Sequence, residues 1–574
     1  MSLPDNNSYT HNREVDSIGQ NTLVTAPVVN SSHSSEGAAA QLNIKNKPVA
    51  GFRRNVLIDL QIESPRPLKA STLQKYAKVK ALALANKENR GSEDNQSRDT
   101  VLECTPENKG ILPKSDTRTF VFNGEEIILS AKHGSAVLDD VHKFLVAHYP
   151  LGAKEDNNDP AASKAELELI ESLQNIKRQT HLSAPPVEYL SSPPVIEVLM
   201  RGLRSEQFNA QYNALWSAIN ITFQDGQTAV NGLVVAGVIP ILNNLLLSGN
   251  DTIIANSAWL LSNIAGDGSH SKYQVVASGT ILRLLELFEK CTTQQELVIS
   301  KASWLLANLC RPSDEKHSKI ILQQCMEITS CVKFLLKSPY NEVKVDAFWT
   351  LHYVTDPNNE KLIQQINSLG FIELAITLLY SEDIEDKYSI LKFLGRVSSV
   401  HDEYYTNKMA RQHVIRMKYA KFLLASQKGL AKTAMIILAN LCLSGYDCIE
   451  AIICSNVMPV ISQYADKFKR HTAETIELVW FLHNYCSMAT KAQLAVFVQH
   501  NLDVVLEMTL RVFAARNDTS VIVGLLGSIR SLITSGFARS WRSFASTKLF
   551  QELYYYHDAE VSMLAKKMHQ EIHY

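Results

Sequence analysis

The decapeptide "KASWLLANLC", residues 301–310, decides how the chain is read. A helix that needs only a core would fill such positions with Leu, Ile and Ala. This one sets Trp304 and Asn308 four residues apart, one helical turn, so both project from one face. The pairing recurs as Trp216 and Asn220 in "YNALWSAINI" (212–221), as Trp259 and Asn263 in "NSAWLLSNIA" (256–265), and as Trp480 and Asn484 in "IELVWFLHNY" (476–485). Trp216, Trp259, Trp304 and Trp349 stand 43, 45 and 45 residues apart. Continued at about 44, the comb falls on Phe393, Ile436, Trp480 and Leu525, and five of the six tryptophans lie on it.

Around this comb, from about residue 163, apolar residues recur at i, i+3, i+4 and i+7 almost without pause, and strand-like alternation is absent. Between successive tryptophans stands a Gly-bearing break and then an apolar helix, as in "AGVIPILNNLLL" (236–247) and "SGTILRLLELF" (278–288). A period of 40–47 residues with two or three helices per unit is the pattern of an armadillo or HEAT solenoid, in which each unit hides its apolar face only against its neighbours. The 574 residues exceed one ordinary core, as a repeat array would require.

Residues 1–115, rich in Ser, Asn and charge, read as a disordered arm. Residues 41–90 hold eleven Lys/Arg against three acids, although the whole chain has a net charge of −1 and no global attraction to nucleic acid or membranes. Over 116–162 the sequence predicts a hairpin at 119–129 around Asn123-Gly124, a helix at 135–149 and a linker from 152. The repeat domain is assigned to 163–560 and a C-terminal tail to 561–574. The nine cysteines form no C-x-x-C and mostly sit in apolar runs, as reduced core thiols would. The polar opening "MSLPDNNSYTHNREVD" has no signal-peptide pattern, and no apolar run approaches the ~18 residues of a membrane span.

Repeated at one phase of stacked helices, Trp and Asn form parallel ladders along a groove. Carboxamides can donate to and accept from an extended peptide backbone. Indole faces take the stems and charges of Lys or Arg, each contact contributing roughly 0.5–1 kcal/mol when exposed. Carboxylates beside such slots select cations, and Asp267, Glu342 and Asp346 stand close to the comb. A single Trp on a helix is usually core and a single Asn usually solvated; repetition at a solenoid period is what points to a ladder. The ligand so implied is an extended, Lys/Arg-rich peptide.

With these phrases in hand, residues 163–560 resemble the armadillo domain of the importin-α (karyopherin-α) family. The matching phrases are "APPVEYL" (184–190), "NIAGDGS" (263–269), "ASWLLANLCR" (302–311) and "EVKVDAFWTLHYVTD" (342–356), in the family's order. The resemblance implies an all-α, right-handed superhelical solenoid behind a largely disordered arm. It implies a major peptide site at Trp216, Asn220, Trp259, Asn263, Asp267, Trp304, Asn308, Glu342, Asp346 and Trp349, with Asp267 pairing with a key cargo lysine. It implies a weaker minor site at Tyr353, Asp356, Asn440, Glu477, Trp480 and Asn484. By the same resemblance, a degenerate importin-β-binding segment includes Lys45, Lys47, Arg53 and Arg54. The partners implied are cargo proteins with basic nuclear localisation signals, importin-β and a nuclear export receptor, in a protein shuttling between cytoplasm and nucleus. No cofactor, direct nucleic-acid contact or membrane insertion is implied.

The departures are specific. Ile436 stands where the family has Trp, and Lys392 and Arg396 occupy the fifth repeat, where an added cation is expected to repel basic cargo and weaken the minor site. Pro65 and Pro67 interrupt the helix expected of the basic segment. A basic arm tethered beside an acidic groove would compete with cargo until a partner captured it. The chain contains no P-loop, G-x-S-x-G, strand–helix G-x-G-x-x-G or metal-ligand cluster. His270, His317 and His352 lie in different repeats without triad spacing, so the sequence does not read as an enzyme. The alternative is a non-transport armadillo scaffold binding extended partner segments; such scaffolds often line the groove with Lys and Arg, opposite to the acids here.

Overall fold

The computed structural model describes residues 117–122, 125–130, 160–180, 186–225, 227–382, 387–400, 402–411 and 419–573. The arm over 1–115, with Lys45, Lys47, Arg53 and Arg54, and the helix expected at 135–149 lie outside the described residues. Strands β1 (Thr117–Phe122) and β2 (Glu125–Ser130) pair antiparallel with Phe122 opposite Glu125, the register of a two-residue connection and the hairpin that the sequence predicts.

Every regular element described from residue 160 onward is a helix. Ten helices recur at the period of the comb: α1 (Pro160–Gln179), α2 (Phe208–Asp225), α3 (Asp251–Asp267), α4 (Glu296–Cys310), α5 (Asn341–Val354), α6 (Tyr388–Ser398), α7 (Lys428–Cys442), α8 (Thr472–Met488), α9 (Thr519–Leu532) and α10 (Ala559–His573). Each packs on the next in chain order, so neighbours in the array are about 40–45 residues apart in sequence. Side-chain caps fix where several helices begin. Asn250 accepts from the amides of Thr252 and Ile253 ahead of α3, and Asp518 accepts from that of Val521 ahead of α9.

Between successive members of the array, up to α9, run two shorter helices. Gln227–Val235 and Val238–Leu245 meet at 83° and Glu360–Ser368 and Phe371–Tyr380 at 60°. The bends rest on Gly237 (φ 83°) and Gly370 (φ 73°), both left-handed. Nothing lies within 4 Å of a Cβ built on either, so φ rather than space selects glycine there. Later repeats use Asn456 and Asn501 in the same left-handed conformation ahead of Met458–Phe468 and Leu502–Ala514.

The core is continuous. Leu260, Leu261 and Ile264 of α3, Leu305, Leu306 and Leu309 of α4, and Leu391 and Leu394 of α6 are wholly buried members of it. Two sequence expectations change. The assigned tail is α10, which buries Val561, Ala565, Met568 and Ile572, while Glu571 accepts from Arg530 of α9 at 2.7–3.1 Å. Short polar runs hid its apolar spacing. The stretch Thr519–Phe537 is long and apolar enough to cross a membrane by length and composition, contrary to the sequence reading. It is half buried in the array, and its helix breaks at Gly536.

Candidate functional site: the ladder face

Helices α2 to α5 are buried on nearly every side except one stripe. In α4 that stripe runs through Leu297, Lys301 and Trp304, and in α3 through Trp259, Asn263 and Asp267. Trp216, Trp259, Trp304, Trp349 and Trp480, the five on the comb, are all half-buried. Trp541, the sixth and off the comb, is 2% exposed and packs edge-on against Phe544 at 5.6 Å. The comb therefore selects rings that remain at the surface of one face, and the one ring it rejects is core. Asp267 ends α3 and is exposed.

Neighbouring rungs touch. The rings of Trp216 and Trp259 meet at 6.2 Å and 74°, and Tyr212 lies 6.0 Å from Trp216. At the fourth unit Trp349 stacks on Tyr353 at 5.7 Å and meets Tyr388 edge-on at 5.5 Å. These separations suit favourable ring pairs. Trp480 is contacted edge-on by His483 at 6.1 Å.

The asparagines serve differently from the sequence expectation. Their amide nitrogens reach back to the preceding repeat rather than outward. Asn220 Nδ2 donates to Thr180 Oγ1 at 2.9 Å, and Asn263 Nδ2 to Thr222 Oγ1 at 3.1 Å and to the Ile219 carbonyl at 3.3 Å. Asn440 Nδ2 donates to Ser398 and Ser399, and Asn484 Nδ2 to the Ala439 carbonyl at 2.9 Å. Each bond ties a carbonyl or hydroxyl near the end of the previous ladder helix to the next repeat and contributes about 1 kcal/mol. Asn308 is the exception: it is 6% exposed and its Nδ2 has no hydrogen-bond partner. The preceding repeat explains this: Thr222 stands two residues after Asn220, and the equivalent position two residues after Asn263 is Ala265, which has no hydroxyl to accept the bond.

The fifth unit brings a correction. Arg396, expected to project into the groove, is 1% exposed, and its Nη2 donates to the Thr355 carbonyl at 2.5 Å. The offset of 41 residues falls among those of the asparagine staples, which run from 40 to 45, so a guanidinium replaces the amide. Burial pulls its pKa down to about 9, against the pull of Asp356, and leaves it charged at neutral pH. Lys392 is 6% exposed with its ammonium 5.1 Å from the Tyr388 ring centre. Both cations are internal, and Ile436, Asn440 and Asn484 are fully buried as well. Asp356 is half-buried and accepts from the amide of Asn358 at 3.0 Å, while Glu477 is 1% exposed.

The histidines weighed as catalytic candidates include two buried ties. His352 Nδ1 lies 3.1 Å from the Lys392 carbonyl, and His317 Nε2 2.7 Å from that of Leu309. Burial, then Lys392 and Arg396, hold His352 well below the usual imidazole range.

On the acidic side, Ser300 Oγ donates to Glu342 at 3.1 Å and Ser303 Oγ to Asp346 at 2.9 Å, so both carboxylates of α5 are tied to α4. Sequence reasoning missed two lysines. Lys301 Nζ lies 4.0 Å from the ring centre of Trp259. Lys177 Nζ lies 4.3 Å from that of Tyr212 and 5.8 Å from that of Trp216, and donates to Asn213 Oδ1 at 3.3 Å. Both separations are those of cation–π contacts. The signal was available: Lys301 opens the quoted decapeptide, three residues before Trp304 on the same face.

Known proteins corroborate the architecture. The armadillo/beta-catenin-like repeat family matches residues 233–266. Importin subunit alpha-1b of Oryza sativa subsp. japonica is 28% identical over 222 residues, which is 38% of this chain and 40% of that protein. Importin subunit alpha-2 of Arabidopsis thaliana is 28% identical over 199 residues, 34% of this chain and 35% of that protein. The match thus spans less than half the length of these relatives. A crystallised engineered protein superposes on 76% of this chain and 99% of its own, with a TM-score of 0.61 at 20% identity, a likeness of fold. Its tandem three-helix units share the armadillo-type fold, and over the matched stretches the chain is similar to importin-α subunits.

Proposed function

We propose that the chain is a nuclear import adaptor that holds Lys/Arg-rich signal segments of cargo proteins along the ladder face and links them to importin-β. The observation that carries this reading is the comb: four tryptophans kept half-buried on the successive helices α2 to α5 and a fifth on α8, with Asp267, Glu342 and Asp346 on α3 and α5. An extended basic segment offers that stripe cations for indoles and carboxylates, at a residue spacing that a solenoid can follow. The major site is formed by Trp216, Asn220, Trp259, Asn263, Asp267, Trp304, Asn308, Glu342, Asp346 and Trp349. Tyr353, Asp356, Asn440, Glu477, Trp480 and Asn484 form a weaker minor site, because three of these six are fully buried. The basic segment with Lys45, Lys47, Arg53 and Arg54 takes importin-β, a nuclear export receptor returns the empty adaptor, and the protein shuttles between cytoplasm and nucleus. The chain makes and breaks no covalent bond.

Binding of a fluorescent Lys-rich peptide to the full chain tests this reading. Asp267→Lys is expected to abolish binding through like-charge repulsion. Trp259→Ala combined with Trp304→Ala is expected to weaken it by roughly tens-fold. Unchanged affinity in both variants would overturn the site. Deleting residues 1–110 is expected to tighten the peptide if the arm competes for the same face.

A further inference from the structure

We infer that Lys301 is a specificity-determining residue that closes the slot over Trp259 to cationic side chains and moves the first cation-accepting slot to Trp304 and Trp349. The inference rests on the adaptor reading above and concerns which register of the peptide the face reads.

The geometry is local. Lys301 belongs to α4, yet its ammonium reaches across to the ring of Trp259 on α3, 4.0 Å from the ring centre. Lysine and indole are both half-buried, which strengthens their attraction and holds the charge in place. A peptide lysine entering this slot would find the ring face taken and a like charge within about 4 Å. It must therefore displace Lys301, or the peptide must present a neutral or acidic residue at that point. Lys177 repeats the arrangement one unit earlier, over Tyr212 and Trp216. The chain thus places its own cation on the indoles of α2 and of α3.

The next slot differs. Among the described residues no ammonium or guanidinium lies over Trp304 or Trp349. The carboxylates of Glu342 and Asp346 border that slot, positioned by Ser300 and Ser303, the residues that bracket Lys301 along α4. Positive charge is thus fixed on one side of Trp304 and negative charge on the other. A ligand laid across this boundary gains most when its cation faces Trp349 and a neutral or acidic residue faces Trp259.

The test is an alanine and glutamate scan of a Lys-rich peptide against the full chain and its Lys301→Ala and Lys301→Gln variants, with circular dichroism to confirm equal helicity. Wild type is expected to lose affinity more on Trp304→Ala than on Trp259→Ala. At one peptide position it should prefer glutamate to lysine. Either Lys301 variant should tighten the all-lysine peptide about threefold to tenfold and turn that position into one that requires lysine. Peptide binding with an unchanged affinity and scan profile in both variants overturns the inference and leaves the adaptor reading standing. Binding of no basic peptide by wild type or variant overturns both.

Discussion

Helices α3 and α6 occupy equivalent places in the array and join it by the same kind of bond, yet they are built from opposite chemistry. In α3 a neutral amide, Asn263, reaches back to Thr222 and the Ile219 carbonyl, and the indole four residues before it stays at the surface. In α6 a buried guanidinium, Arg396, reaches back to the Thr355 carbonyl, and Lys392, four residues before it, is buried against Tyr388. The backward bond is what the stacking requires, and residues of different charge supply it. The surface ring is not required by stacking, since α6 stacks without one. The amide thus belongs to the architecture, and the indole is the feature that architecture leaves unexplained.

The comparison can be broken most directly at Arg396. Arg396→Met should destabilise α6 by about 3 kcal/mol, because the Thr355 carbonyl loses its donor and the buried volume is refilled imperfectly. Long arrays do not unfold in two states, so the readout is hydrogen exchange of amides in 388–398. Arg396→Asn should recover part of the loss if an amide can serve as it does in α3. An exchange pattern unchanged by Arg396→Met would remove the staple from the account.

Acid should act next, and on the same junction. His352 is wholly buried and held neutral, its folded pKa depressed below the ordinary 6.5 first by burial and then by Lys392 and Arg396. The unfolded chain binds the proton first as pH falls, so this contribution is intact above about pH 6.5 and is lost at lower pH. Exchange in α5 and α6 should accelerate between pH 6.5 and 5. In His352→Asn, which keeps a donor but cannot titrate, the pH slope should flatten.

Smaller effects sharpen the contrast within the ladder. Asn263→Ala should cost about 1 kcal/mol, the value of a typical internal hydrogen bond. Asn308→Ala should cost only a few tenths, because its amide nitrogen has no bond to lose. Protection measured in 251–267 and 296–310 distinguishes the two. Equal losses would mean that the staples are not what holds these asparagines in place.

Periodicity carried the fold because apolar spacing repeats in every unit, and a wrong helix assignment in one unit is corrected by the next. The comb also found the surface tryptophans, since Trp541, which breaks the period, is the one in the core. It could not find α10, whose short apolar stripe gains its partners only from α9. Nor could it tell that Arg396 folds inward, because a charged residue in a helix is ordinarily solvated. Lys301 was in plain view, yet its meaning depends on a ring 42 residues earlier in the chain.

The sequence by itself determined the unit length, the order of helices, the left-handed glycine at the bends and the stripe on which indoles recur. All of these follow from spacing along one helix or between identical units. Only the tertiary structure decided what the polar groups on that stripe face. An amide, a guanidinium and an ammonium can each turn toward solvent or toward the neighbouring repeat. The choice depends on whether an acceptor or a ring lies within reach some 40 residues away, which is a property of stacking and not of local pattern.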